Sequence, residues 1–292
     1  MTIEEAFQKF KSRLELTDGE QKDASKRQKR VREVMSENFH VEDDFLAGSY
    51  ARHTKTKPLK DVDIFLALGS KERHRLDEPA KDLLEAVRVA LVPEYGEDKV
   101  SIGRRCVQVR FGGDEDDDKV MSIDVVPAFT EGDNYKIADP QSEKDWAVTN
   151  PKTHAAKATA CNKDFDLKWK PVVKMAKKWN EHKGKPIKPS FLIEVMAIEL
   201  LKGPFSGGYP YELKALFAAL EARISEIWND PAGLGPPVSD RMDAAACQNA
   251  RKVLAETGQS VDRAIYLAKT GNVGGALRIW RDEVFGSRFS IS

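Results

Sequence analysis

The segment Asp61-Val62-Asp63-Ile64-Phe65-Leu66-Ala67-Leu68 constrains this chain more than any other. Its apolar, aromatic texture predicts a strand, yet the strand opens on two carboxylates. Residues i and i+2 of a strand project from one face, which sets Asp61 and Asp63 side by side, roughly 7 Å apart along the backbone. Val62, Ile64 and Leu66 then occupy the opposite face and anchor the strand in a core. Two like charges this close repel each other and are costly unless a cation lies between them.

A third carboxylate fits the same picture. Asp124 stands alone in the apolar strand Ser122-Ile123-Asp124-Val125-Val126-Pro127. If that strand pairs beside the first, three carboxylates converge, enough to hold two metals. Magnesium suits such ligands because it takes hard oxygens and shares its shell with phosphates, and manganese would serve in its place. Upstream, Phe45-Leu46-Ala47 reads as a strand entering a turn at Gly48-Ser49-Tyr50. A strand-to-helix turn with glycine exposes backbone N–H groups to an anion, and the Ser49 hydroxyl adds a donor. Arg52 and Lys55 bring positive charge to the same place. Each part has a bland reading, a solvated turn or an edge strand with polar residues outward. The ordered set of Gly48-Ser49, Asp61-Val62-Asp63 and Asp124 is much rarer than its parts.

The surrounding chain bounds what such a site can belong to. Its 292 residues allow one large domain or two modest ones, with length to spare for a core. Basic and acidic residues balance at 47 each, which argues against a grip on long nucleic acid by overall charge while leaving room for a local patch. Cys106, Cys161 and Cys247 suggest neither a disulfide framework nor a zinc site, and read as small buried residues in a reducing compartment. No apolar stretch is long enough for a signal peptide or a membrane span, so cytoplasmic residence is expected.

Apolar residues at helical spacing run from Ile3 to Leu14. Thr17 and Glu20, at capping-box spacing, open a charged helix to about Asn38. Its basic run, Lys26 to Arg30, reads as a solvated face. A helix is expected from Pro79 to Val92, and strands near Arg105 to Phe111 and Val120 to Phe129. Between those strands, Gly112 to Asp118 lacks the ligand spacing and closing glutamate of a calcium loop and reads as a hairpin tip. After about Asn150 nearly everything is helical. The expected fold class is α+β: a catalytic core over residues 1–150, a helical lobe over 151–292, and a cleft between them.

At these residues the sequence resembles the nucleotidyltransferases of the DNA-polymerase-β-like superfamily. The run from Gly48 to Thr54 and then Asp61 to Phe65 is similar to archaeal CCA-adding enzymes and to the oligoadenylate-synthase-like group. The stretches Val172 to Trp179 and Lys188 to Glu194 resemble the helical lobe of cyclic GMP–AMP synthase, oligoadenylate synthase and their bacterial relatives. The close, Gly274 to Trp280 and then Val284 to Gly286, resembles the bacterial group. The resemblance thus points to the bacterial CD-NTases, synthases of cyclic oligonucleotide messengers in anti-phage signalling.

That resemblance implies a polymerase-β-like core, with a mixed sheet flanked by helices, beside a helical lobe. It implies Asp61, Asp63 and Asp124 as catalytic metal ligands and Gly48 and Ser49 as triphosphate contacts. It also implies Lys177 and Ser190 at phosphates and Phe191 stacked on a base. His53 departs from the small residue that relatives commonly place in the turn. Implied partners are nucleoside triphosphates with ATP among them, an effector that senses the product, and regulators; a nucleic-acid activator stays open. Read from the residues alone, the lysines of 174–178 form a solvated helix face, Phe191 is a core aromatic, and Glu194 makes a buried hydrogen bond. Rival functions are tailing of RNA 3′ ends, linear 2′–5′ oligomer synthesis, nucleotide transfer onto a protein, and nucleotide binding without turnover.

Overall fold

The strand that opens on the carboxylates, β2 (Asp61–Leu68), has the bounds its pattern sets. In the computed structural model, which describes residues 1–112 and 121–291, β2 lies inside a seven-stranded sheet. Its companions are β1 (Val41–Leu46), β3 (Val100–Ile102), β4 (Val107–Phe111), β5 (Met121–Glu131), β6 (Asn134–Ala138) and β7 (Trp146–Thr149). The order is β1-β2-β5-β4-β3, with β6 also pairing β5 and β7 pairing β6. Strands β2 and β5 run parallel, and every other pair is antiparallel. A parallel pair needs a long crossover, and helix α4 (Ala80–Tyr95) lies within it. The mixed sheet flanked by helices is the expected class.

Both faces of β2 are covered. Val62, Ile64, Leu66 and Leu68 pack with Leu83, Leu84, Val87 and Leu91 of α4 and with Val31 and Met35 of α2 (Asp18–Asn38). Phe65 and Ala67, on the carboxylate face, pack with Ala47, Tyr135 and Ile137. Phe45, Phe65 and Tyr135 form a ring cluster with centroids 5.1–5.4 Å apart. The face that carries Asp61 and Asp63 is therefore polar at one end and aromatic at the other. Helix α2 opens on the capping box expected of Thr17 and Glu20. Its basic run is engaged in surface pairs, Arg27 with Asp23 and Arg30 with Glu94, both at 2.7 Å.

The chain divides into a sheet unit, Leu16–Ala155, and a helical unit, Met1–Glu15 with Ala156–Ser292. This partition differs from a division at residue 150 mainly at the N-terminus. Helix α1 (Ile3–Leu14) belongs with the helical unit because Phe7 and Phe10 complete its aromatic core. Phe7 meets the Trp280 ring edge-on at 4.9 Å, and Phe10 lies 4.6 Å from Phe285. Full burial of each such side chain contributes about 1.5–3 kcal/mol.

The rest of this unit is α5 (Pro151–Asp164), in which the division falls, then α6 (Trp169–His182), α7 (Phe191–Leu200), α8 (Tyr209–Arg223), α9 (Ala244–Lys269) and α10 (Val273–Ile279). Trp169, Val172, Val173, Ala176 and Trp179 of α6 are fully buried. Strands β3, β6 and β7 were not anticipated, being three to five residues long. The acidic tip from Gly113 to Asp118, and Val120, lie outside the described residues. Among those described, no helix is long and apolar enough to cross a membrane.

Candidate active site

Register decides which side chains meet. Asp63 stands opposite Asp124 and Asp61 opposite Ser122 on the parallel strands β2 and β5. Directly opposed residues share a face, so all three carboxylates crowd one side of two adjacent strands. Burial pushes the Asp63 carboxyl up to about 7, the charges of Asp61 and Asp124 push the same way, and Arg52 opposes them. Burial also raises Asp124, with Asp61 adding to it, while hydrogen bonds from Gln108 and Cys106 pull it back. As the side chains stand, no group of three or more His, Cys, Asp or Glu among the described residues is placed to hold a metal ion. On donor chemistry, three repelling carboxylates suit a hard divalent cation, which would relieve the repulsion.

The Gly48 turn is pressed against this group. Helix α3 (Gly48–Ala51) starts directly after β1, and the Ala47 N–H donates to the Asp63 carbonyl at 2.9 Å. Gly48 has φ +60°, and a Cβ there would fall 1.7 Å from Asp63 Oδ2. Only glycine meets both conditions. The Ser49 carbonyl accepts from the N–H groups of Thr54 and Lys55, at 3.0 and 3.2 Å, folding the loop back on the turn. That fold-back puts His53 in the left-handed region at φ 55°, which histidine enters more readily than most side chains do. Arg52 is buried at 8% exposure and supplies positive charge to Asp63. The Lys55 ammonium lies over the Tyr50 ring, 3.2 Å from its centroid.

Three neighbours of Asp124 escaped the sequence reading. Gln108, its cross-strand partner on β4, donates from Nε2 to Asp124 Oδ1 at 3.0 Å. The Ser122 hydroxyl donates to the Lys60 carbonyl at 3.2 Å. Cys106, expected to be a plain buried residue, is half-buried and hydrogen-bonds Asp124. Burial and the charges of Asp124 and Asp63 push its thiol up to about 12. The available signal was the alternation of Cys106, Gln108 and Arg110 with Val107 and Val109, which places three polar groups on one face.

Lys177, Ser190 and Phe191 lie in the helical unit. Lys177 Nζ donates to Glu194 Oε1 at 2.6 Å, with side chains 8% and 1% exposed. Lys174 bonds Glu15 at the same distance. A solvated lysine face is therefore wrong for these two, because each has an acidic partner that makes burial tolerable. Glu194 has the structural hydrogen bond expected of it. Ser190 is exposed at the start of α7, and Phe191 packs partly against the helical core.

Residues 1–162 match the family described as Second Messenger Oligonucleotide or Dinucleotide Synthetase domain, SMODS. The chain belongs to this family. It is 29% identical over 250 residues to the cyclic AMP-AMP-AMP synthase of Acinetobacter sp., covering 80% of this chain and 68% of that protein. Two solved structures of Escherichia coli MS115-1 CdnC share its fold, each at 21% identity over 98% of both chains. One is a complex with HORMA-deltaN, at a TM-score of 0.73, and the other is bound to ATP, at 0.71. The expected kinship with the bacterial CD-NTases holds. The SMODS protein described here is a nucleotidyltransferase, and its activity is synthesis of a cyclic oligonucleotide second messenger.

Proposed function

We propose that the sheet unit carries out magnesium-dependent transfer of a nucleotidyl group from a nucleoside triphosphate to a ribose hydroxyl, releasing pyrophosphate. The observation that carries this reading is the facing of Asp61, Asp63 and Asp124 across β2 and β5, directly against the Gly48 turn. Two bound magnesium ions would supply Lewis acidity to the attacking hydroxyl and neutralise charge on the leaving pyrophosphate. Asp61, Asp63 and Asp124 would hold these ions, and Asp124 would be the carboxylate beside the attacking hydroxyl. Gly48 leaves the turn open to the triphosphate, and Ser49 donates to it. Arg52 balances Asp63 and adds positive charge for the phosphates.

In the helical unit, Lys177 and Ser190 contact phosphate and Phe191 stacks on a base. Exposure of Ser190 and the pairing of Lys177 with Glu194 on α7 support a local group of this kind. We take ATP to be among the substrates, since the Acinetobacter relative is named for an all-adenine product and CdnC was solved with ATP. A protein regulator, by analogy with the HORMA complex, and an effector that senses the product complete the assignment, with the cytoplasm as its place and defence against phage as its setting.

The test incubates the protein with all four ribonucleoside triphosphates and Mg2+, then phosphatase, and identifies survivors by mass spectrometry. A resistant product with the mass of an adenine-containing cyclic di- or trinucleotide, absent without Mg2+, is expected. Turnover undiminished in chelator would overturn the metal assignment, and a product without adenine would overturn the ATP assignment.

A further inference from the structure

The carboxylate face of the sheet does not stop at Asp124. Strand pairing sets out a polar grid three rows deep: Asp61 and Asp63 on β2, Ser122 and Asp124 on β5, Gln108 and Arg110 on β4. Gln108 is directly opposite Asp124, and Arg110 directly opposite Ser122. Within the third row, Arg110 Nε donates to Gln108 Oε1 at 3.1 Å, while Gln108 Nε2 donates to Asp124 Oδ1 at 3.0 Å.

Direction is the informative part of this chain of bonds. An amide side chain can be turned over, exchanging its oxygen and its NH2 group. A guanidinium only donates, so the group facing Arg110 must be the oxygen. The NH2 is then obliged to face Asp124, where it engages one carboxylate oxygen and leaves the other unclaimed by it. Ser122 Oγ lies 3.4 Å from the same NH2 and is itself tied to the Lys60 carbonyl, one residue before Asp61. The third row is thus joined to both carboxylate strands.

We propose that Gln108 is a positioning residue for Asp124, held in its working orientation by Arg110. It sets which Asp124 oxygen is presented and limits rotation of the carboxylate. Outer partners of this kind orient metal-ligating groups and typically matter by about 10- to 100-fold in metal affinity or activity. The inference rests on Asp124 being a ligand, as proposed above, and adds that its geometry is imposed from β4.

The test uses the full chain with Mn2+ as the probe. Bound Mn2+ is counted by electron paramagnetic resonance without nucleotide, and kcat and KM for ATP are measured separately. Gln108→Leu keeps much of the side-chain volume and removes both polar atoms. It is expected to weaken Mn2+ binding and lower kcat by about 10- to 100-fold, with KM for ATP changed less than threefold, about the spread of such contributions. Arg110→Ala, at an exposed position, should show a weaker version of the same pattern.

In the Gln108→Leu background Arg110→Ala should then add nothing, since its effect passes through the amide. Mn2+ affinity and kcat at the natural level in Gln108→Leu would overturn the proposal, as would a full Arg110→Ala effect surviving in the double variant. Asp124→Asn is run beside them. If it too binds Mn2+ and turns over normally, the ligand reading fails and this inference with it. A crippled Asp124→Asn next to a normal Gln108→Leu removes the inference alone.

Discussion

Each unit buries charge, and does so in opposite ways. In the helical unit, Lys177 and Glu194 are almost wholly enclosed, but they carry opposite signs and bond at 2.6 Å. In the sheet unit, Asp63 is set among Asp61 and Asp124, all of one sign, with the Arg52 charge as its internal relief. The first arrangement balances its own charge. The second is electrostatically unfinished, and a fold tolerates such a group where a ligand of opposite charge completes it. Unbalanced burial, rather than burial as such, therefore marks the carboxylates proposed to hold the metal.

The two groups should respond in opposite ways to loss of a charge. Asp61→Ala and Asp63→Ala should each lower turnover by about 10³-fold or more, at the upper end of what loss of one transition-state contact brings. Thermal midpoints in chelator should hold or rise, because a repelling charge is gone. A variant with substantial activity would remove these residues from the mechanism. Glu194→Leu should behave in the reverse sense. It leaves Lys177 charged and enclosed, and should cost about 3–5 kcal/mol by denaturant unfolding. Lys177→Met added to it should recover most of that loss. A stable Glu194→Leu would show that the pair is not the completed unit described here.

A smaller effect sharpens the contrast sterically. Gly48→Ala drives a Cβ into Asp63 and should lower kcat by about 10²-fold, the penalty of displacing a catalytic group by about 1 Å. Unchanged kinetics would mean that the turn and Asp63 move apart freely. The smallest effect is on pH dependence. With Asp63 raised to about 7, the native state favours its protonated form. Its contribution to stability is full below the ordinary carboxylate range and is lost as pH rises through about 7. Thermal midpoints in chelator should fall from pH 5 to 8, less steeply in Asp63→Asn, and Mg2+ should flatten the slope. Equal slopes in the two proteins would contradict the shift.

Much of this contrast was visible in the sequence, for local reasons. The strand Asp61–Leu68, the helix Ile3–Leu14 and the Thr17–Glu20 capping box rest on contacts within a few residues, and spacing alone reveals them. Convergence of Asp124 with Asp63 depends on one parallel pairing, which an isolated charge in an apolar strand suggests. What escaped depends on distant partners. The buried state of Lys174 and Lys177 is set by Glu15 and Glu194, 159 and 17 residues away. Placement of α1 in the helical unit is set by aromatic rings near the other end of the chain. Gln108 drew no notice because a glutamine in a strand signals nothing until its cross-strand partner is known.

The most direct test of the account is a crystal structure of the protein grown with Mn2+, with the ion located by its anomalous scattering. The account predicts a peak within ligand distance of Asp63 and at least one of Asp61 and Asp124, absent in Asp61→Ala, Asp63→Ala. A well-ordered site with no peak there, or with Mn2+ bound only elsewhere, would contradict the claim that these carboxylates are grouped to hold a cation.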